Sequence, residues 1–320
     1  MQDSHFFWNR CGPQNPANTN PGVAVARRIF VQIPAYRDRE LLPTLQALFE
    51  AAARPDDLRV VLCWQFGRDE AGLASEFRRW SRLEVIAIPA EDSGGVNWAR
   101  HLIAQRHDGE PYVLWLDSHH RFVAGWDELA LSMHRTLESS GVERPVLTAY
   151  LPPYEPANDP AGRTNAVFRL ALNERREGLA FVLRGDDVPN WRSLQAPLPA
   201  HFTSLHFLLA RSAFLRDVPI DPELYFFADE IAIALRAFSR GYEMFHPHQM
   251  LGWHLYDRGL RVTHWTDHED WRRKHAASIL RLAALYRGEI RGTLGIGEAR
   301  SVRDFEEQAG IRLIEAPDMA

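Results

Sequence analysis

The sequence predicts an α/β protein with a mostly parallel central sheet flanked by helices, and three observations predict it. Short apolar strands alternate with helical stretches of ten to fifteen residues through the first half of the chain. Turn-forming or chemically active residues, Pro34, Gly94-Gly95 and Asp117, stand where strands give way to the next segment. The 320 residues are 46% apolar and 25% charged, enough to bury a full-sized core.

The elements follow in order. Ile29 to Ile33 (IFVQI) is a β-branched and aromatic run closed by Pro34, and a helical pattern continues through Leu41, Leu42, Leu45, Leu48 and Phe49. Leu58–Trp64 leads to a helix near Ala71–Arg79, and Leu83–Ile88 leads past Gly94-Gly95 to a helix near Asn97–Gln105. Tyr112–Leu116 runs into Asp117, a helix spans Trp126–Leu137, and Val146–Tyr150 closes the series. Crossovers of this kind are right-handed and place ligands at the C-terminal strand ends. Residues 151–200 break the alternation with Pro, Asp, Asn and Arg around Val167–Leu172 and Leu179–Leu183, and read as an inserted loop or lobe. Order returns over Phe202–Leu209, then a helix over Asp229–Arg240, strands near Glu243–Phe245 and Leu251–Tyr256, and a helix over Glu269–Arg287. The expected organisation is a flexible N-terminal tail over 1–26, one domain over 27–311, and a C-terminal tail over 312–320.

Charge and composition exclude several function classes. With 37 basic against 42 acidic residues the net charge is −5, which offers no general grip on a nucleic-acid backbone. No stretch approaches the ~18 apolar residues of a spanning helix and no signal-peptide pattern opens the chain, so no membrane partner is expected. Two cysteines, Cys11 and Cys63, make no disulfide framework or zinc ladder, which fits a cytoplasmic protein.

The stretch Tyr112–Phe122 carries the most chemistry: an apolar strand delivers Asp117, Ser118 and His119 to its tip. Asp and His two residues apart on a turn can face one point, and carboxylate oxygen with imidazole nitrogen suits Mn²⁺ or a related divalent ion; otherwise Asp117 caps the following helix and His119 sits in a loop. Asp229 and Glu230 open an apolar helix, where acidic residues also serve as ordinary caps. His254 and Tyr256 share one face of a strand end, a place where a histidine is commonly a core residue. Ala35, Tyr36 and Arg37 follow the first strand, where a nucleotide's base and ribose lie in a doubly wound sheet. Gly95 opens a helix whose N-terminus favours phosphate, with Arg100 as a fork for its oxygens or a brace for the sheet. Neither GxGxxG nor GxxxxGK[ST] is present.

Taken together, these residues resemble the cytoplasmic GlcNAc-transferases that modify a hydroxyproline of Skp1. The resemblance runs in order through IFVQIPAYRD (29–38), NWAR (97–100), YVLWLDSHHRF (112–122), VPIDPELYFFADEIAIALRAFSRGYEMFHP (218–247), HLYDR (254–258) and GEARSVRDFEEQAGI (297–311). It implies a GT-A fold and an anomer-retaining, metal-dependent transfer from a UDP-sugar, GlcNAc or another HexNAc, to a hydroxyl acceptor. Asp-Ser-His is then the DxD motif, a form also similar to that of the polypeptide GalNAc-transferases. The resemblance implies that Asp117 contacts ribose and metal, that His119 and His254 complete the Mn²⁺ or Mg²⁺ site, and that Asp229 and Glu230 reach donor sugar or acceptor. Two departures stand out: Gly95-Val96 replaces Gly-Pro, and Ala228-Asp229-Glu230 replaces Gly-Glu-Glu. The competing expectations are a nucleotide-sugar hydrolase and a silent nucleotide-sugar binder.

Overall fold

A computed structural model describes residues 28–176, 179–226 and 229–314. Both tail expectations, with Cys11, fall largely outside them, as does Ala228.

Nine elements build the N-terminal half: strands β1 (Ile29–Tyr36), β2 (Leu58–Phe66), β3 (Leu83–Pro89), β4 (Tyr112–Leu116), β5 (His120–Phe122) and β6 (Pro145–Thr148), and helices α1 (Leu41–Glu50), α2 (Val96–Ala104) and α3 (Trp126–Ser139). The remainder contributes strands β7 (Phe168–Arg176), β8 (Ala180–Asp187), β9 (Leu198–Ala200), β10 (Phe207–Arg211), β11 (Glu243–His246) and β12 (Gly252–His254). Its helices are α4 (Ala213–Asp217), α5 (Asp229–Ser239), α6 (His264–Asp267), α7 (Trp271–Tyr286) and α8 (Val302–Ala309).

Eight strands form the central sheet in the order β3-β2-β1-β4-β10-β6-β11-β9. The first four are parallel; β10 inserts antiparallel between β4 and β6, and β11 runs parallel to β6. The near-continuous apolar character of β1 and β4 has a simple cause, because both faces of the sheet are covered. Ile29, Val31 and Ile33 join Leu114, Leu116, α1 and α3 on one side, while Phe30, Val113 and Trp115 join α2 and α5 on the other. Each fully buried aliphatic side chain in these layers is worth about 1.5–3 kcal/mol of transfer free energy.

One expectation is corrected and a second gains internal structure. Residues 68–79 form tight 3₁₀ turns rather than the expected α-helix, since Gly72 interrupts the run and Phe77 alone is buried, leaving no apolar stripe to hold an α-helix. The segment 151–200, expected as a loop or lobe, holds an antiparallel hairpin, β7 with β8, bulged between Leu172 and Glu174. Alternate residues Leu170, Phe181 and Leu183 bury into the core, a period of two that the arginines and aspartates around them mask in the sequence.

One small sheet positions the site. β5 pairs antiparallel with β12, setting His254 directly opposite His120, and the Leu255 N–H donates to the His119 carbonyl at 3.1 Å. Gly252 is required there, because a Cβ would overlap the Arg121 carbonyl. Thr44 of α1 clamps the same turn, its hydroxyl accepting from His120 N–H at 2.8 Å and facing the His120 carbonyl at 3.2 Å.

Candidate active site

The tip of β4 and the register of β5 with β12 bring Asp117, His119 and His254 together from two regions more than 130 residues apart, with one ligand atom from each within 4.8 Å of the others. Asp117 Oδ2 lies 3.4 Å from His254 Nε2 and 3.8 Å from His119 Nε2. Its other oxygen, Oδ1, accepts a 2.8 Å hydrogen bond from Arg100. Burial works to raise the Asp117 pKa, but the His254 bond and the Arg100 charge outweigh it and hold the carboxyl well below the ordinary value. Burial pulls His254 well below the usual imidazole value despite the neighbouring carboxylate, so it offers a neutral nitrogen. One carboxylate and two imidazoles fit a divalent ion of the Mn²⁺ kind.

Asp38, four residues beyond Pro34, completes this half. Its Oδ2 accepts from Ser118 Oγ at 2.6 Å and stands 2.7 Å from His119 Nδ1. A carboxylate on Nδ1 fixes the tautomer and leaves Nε2 for a metal. Burial raises the Asp38 pKa, and the His119 and Ser118 bonds overcome it, so the group stays ionised. Asp38 ends the loop marked in the sequence for the nucleotide, yet only the fold shows which residue it supports.

Of the two roles open to Arg100, the bracing one is seen: it is 2% exposed, and its Nη2 donates to Asp117 and to the Leu205 carbonyl at 2.9 Å. Ala35 is buried in the core and its carbonyl accepts from Gln65. Gly95 takes a positive φ of 105° that L side chains rarely adopt, and a Cβ there would press on the Tyr225 ring at 3.1 Å. Its N–H is held by Ser93 Oγ at 3.1 Å.

Two chambers meet at Asp117. A narrow one of about 140 Å³ is lined by Tyr36, Gln65, Gly95, Tyr225 and His264, and a wider one of about 540 Å³ by Tyr150, Leu183, Glu230, His254 and Tyr256. A strap, residues 255–268, closes over the narrow chamber. Tyr36 OH and Arg37 donate to Asp267 at 2.8 and 2.9 Å, and His264 and His268, stacked 3.8 Å apart, reach Ser93 and the Ala90 carbonyl. Arg261 of this strap packs its guanidinium on the His119 imidazole, in closest contact with Nε2, the nitrogen a metal would take, and Arg258 lies over the Phe226 and Trp265 rings. Tyr36 and Arg37 were candidates from the sequence, but neither Asp267, which they hold, nor Arg261 stood out there, where arginines are too common to mark one.

Asp229 and Glu230 begin α5 on the wall of the wider chamber. Asn97 donates to Asp229 at 3.1 Å, and the Leu205 N–H donates to Glu230 at 3.1 Å. Burial and the adjacent Asp229 charge push the Glu230 carboxyl up to about 7, and burial raises Asp229 as well. The acidic pair is therefore more than a helix cap, since a cap is favoured by being charged.

The fold is that of the GT-A class of glycosyltransferases. The chain is similar to GalNAc-T7, whose crystal structure contains UDP, GalNAc and Mn²⁺, at a TM-score of 0.58 and 14% identity over 90% of this chain. This chain spans only 55% of the length of GalNAc-T7. Staphylococcus aureus TarS is a further neighbour: its complex with UDP-GlcNAc aligns at a TM-score of 0.48 and 15% identity, covering 77% of this chain and 64% of that one. Its complex with UDP aligns at 0.47 and 16%, covering 79% and 65%. In sequence, the family model for Glycosyltransferase (GlcNAc) matches residues 28–78 and 68–296, and the chain belongs to that family. No curated protein matches it. Among the described residues, no helix is long and apolar enough to cross a membrane.

Proposed function

We propose that this chain transfers an N-acetylhexosamine, GlcNAc as the family name suggests, from its UDP-sugar to a hydroxyl acceptor with retention at the anomeric carbon, in the manner of the Skp1-type enzymes its motifs resemble. The carrying observation is the convergence of Asp117, His119 and His254 at the point where the two chambers meet. A divalent ion held there supplies Lewis-acid stabilisation of the diphosphate as UDP departs. Asp38 keeps His119 turned toward that ion, and Arg100 keeps Asp117 ionised and aimed. The narrow chamber, with Tyr36 and Gln65, takes the nucleoside, and Arg261 swings from His119 onto the diphosphate when substrate enters. The wider chamber takes the sugar and the acceptor hydroxyl. Acceptor oxygen bonds to the anomeric carbon on the face that UDP leaves, the anomeric C–O bond to phosphate breaks, and the acceptor proton passes to the departing phosphate oxygen. Asp229 and Glu230 orient sugar and acceptor and need not become covalently attached. The cytoplasm, as a reducing compartment, suits the buried free thiol of Cys63.

The test is calorimetric titration of UDP with and without Mn²⁺ into wild type and Asp117→Ala, followed by UDP release from UDP-GlcNAc and UDP-GalNAc. Metal-dependent binding that Asp117→Ala loses, with acceptor-stimulated release, is the expected result. Release that no acceptor accelerates would convert the reading to a hydrolase, and binding without any release to a silent binder.

A further inference from the structure

His254 is held in an uncommon way. Its Nε2 faces Asp117, while its buried Nδ1 has no hydrogen-bond partner among the described residues. A metal-facing imidazole is ordinarily oriented by an acceptor on its second nitrogen, and here neighbouring rings take that part. His206 lies nearly parallel to His254, centroids 4.2 Å apart at 17°, while Tyr256, His119 and His120 close the other sides at 4.4, 4.7 and 4.9 Å.

His206 is in turn fixed at both nitrogens. The Leu151 N–H donates to Nε2 at 3.0 Å, so Nε2 carries the lone pair and the ring proton resides on Nδ1. Nδ1 lies 2.8 Å from Ser204 Oγ and must donate to it. The Ser204 hydroxyl proton is thereby turned away from His206, on the wall of the wider chamber that Ser204 shares with Glu230, whose carboxyl group accepts from the Leu205 N–H. Ser204 is fully buried, and its own N–H is anchored on Thr148 Oγ1 at 2.8 Å. The donors run in one direction, from Leu151 through His206 to Ser204, beside Glu230.

We infer that His206 is a positioning residue joining the two halves of the site: its ring backs His254, and its Nδ1–H, through Ser204, aims the Glu230 carboxyl group into the wider chamber. The functional meaning rests on the glycosyltransferase reading, but the tautomer does not. The two contacts are separable by substitution. Removing the ring frees His254 and weakens metal binding, whereas removing the Ser204 hydroxyl leaves the metal ligands alone and loosens only Glu230.

The first measurement is the ¹⁵N shift of His206 in metal-free protein labelled at histidine, assigned by its loss in His206→Phe. The Nδ1–H tautomer is expected, and an Nε2–H tautomer overturns the inference whether or not the wild type turns over any UDP-sugar. The second is Mn²⁺ affinity and steady-state kinetics. His206→Ala should weaken Mn²⁺ ten- to hundredfold, the usual consequence of losing a group that orients a ligand, and His206→Phe, which keeps a ring, should hold Mn²⁺ affinity while losing kcat. Ser204→Ala should lower kcat about tenfold with Mn²⁺ affinity and donor KM unchanged, and Ser204→Thr should restore it. Parallel losses of affinity, kcat and Tm in all these variants would reduce His206 to a packing residue. An unchanged kcat in Ser204→Ala beside an active wild type would also overturn the proposal, whereas an inactive wild type would sink the proposed function alone.

Discussion

The two chambers that meet at Asp117 are built on different principles. The narrow one stands on the tips of β1, β2 and β4, contiguous parallel strands whose side chains follow directly from the local pattern, with a strap pinned across it by Tyr36, Arg37 and the stacked His264 and His268. The wider one is assembled from the start of α5, the β7–β8 hairpin, the turn before β10 and the end of β12. Its acidic pair is under desolvation stress, with Glu230 raised to about 7, while Asp38 and Asp117 on the other side are held below their ordinary values by donors. Donors outweigh burial on one side and burial outweighs donors on the other, the kind of contrast that gathers at functional sites.

The sharpest way to break this comparison is at the shared edge. His119→Ala should lower turnover by roughly a thousandfold, several kcal/mol of lost transition-state stabilisation, measured as UDP release in saturating Mn²⁺; unchanged turnover would refute the ligand assignment. Asp38→Asn tests the narrow side alone. It should weaken Mn²⁺ binding ten- to hundredfold with the share of sugar passed to acceptor unchanged, because the amide no longer holds the His119 tautomer. Glu230→Gln tests the wider side through stability. Glu230 keeps its proton in the folded chain up to about 7, while the unfolded chain releases it near the ordinary glutamate value. The folded state therefore binds more protons across that window, and wild-type stability falls as pH rises through it. Urea unfolding of metal-free protein should show Glu230→Gln gaining about 3 kcal/mol on wild type between pH 4 and pH 8; a constant difference would mean the pair is not stressed. The smallest effect belongs to Asp267→Asn, which cuts the strap's ion pair with Arg37 and should raise donor KM two- to fivefold, less so at high salt.

The same contrast explains what was legible in the sequence. Asp117, Ser118 and His119 follow a strand whose apolar run announces where the tip lies, and the α/β alternation set out the parallel half of the sheet before any coordinates. His254 became a candidate ligand through family resemblance, since its partnership with His119 depends on the β5–β12 register and on Gly252, which no local pattern reveals. His206 and Ser204 carried no signal: they fall in the stretch Phe202–Leu209 read as ordered, but sit in the turn before β10, where no periodicity marks a polar side chain. Arg100 was legible as a site residue with two roles open, fork or brace, and only the fold shows its Nη2 engaged by Asp117 and the Leu205 carbonyl. The hairpin of residues 168–187 was hidden by its own charges.

The antiparallel insertion of β10 between β4 and β6 has a consequence for the chain during synthesis. β1 to β4 can pair as soon as they leave the ribosome, but one edge of β4, with Leu114 at its centre, waits for Phe207–Arg211, about ninety residues later. At 5–20 residues per second that is roughly 5–20 s during which an apolar edge stands open to other nascent chains. The enzyme's yield in a cell therefore depends on whatever shields that edge, and a chain stopped before residue 207 should aggregate although it contains Asp117 and His119.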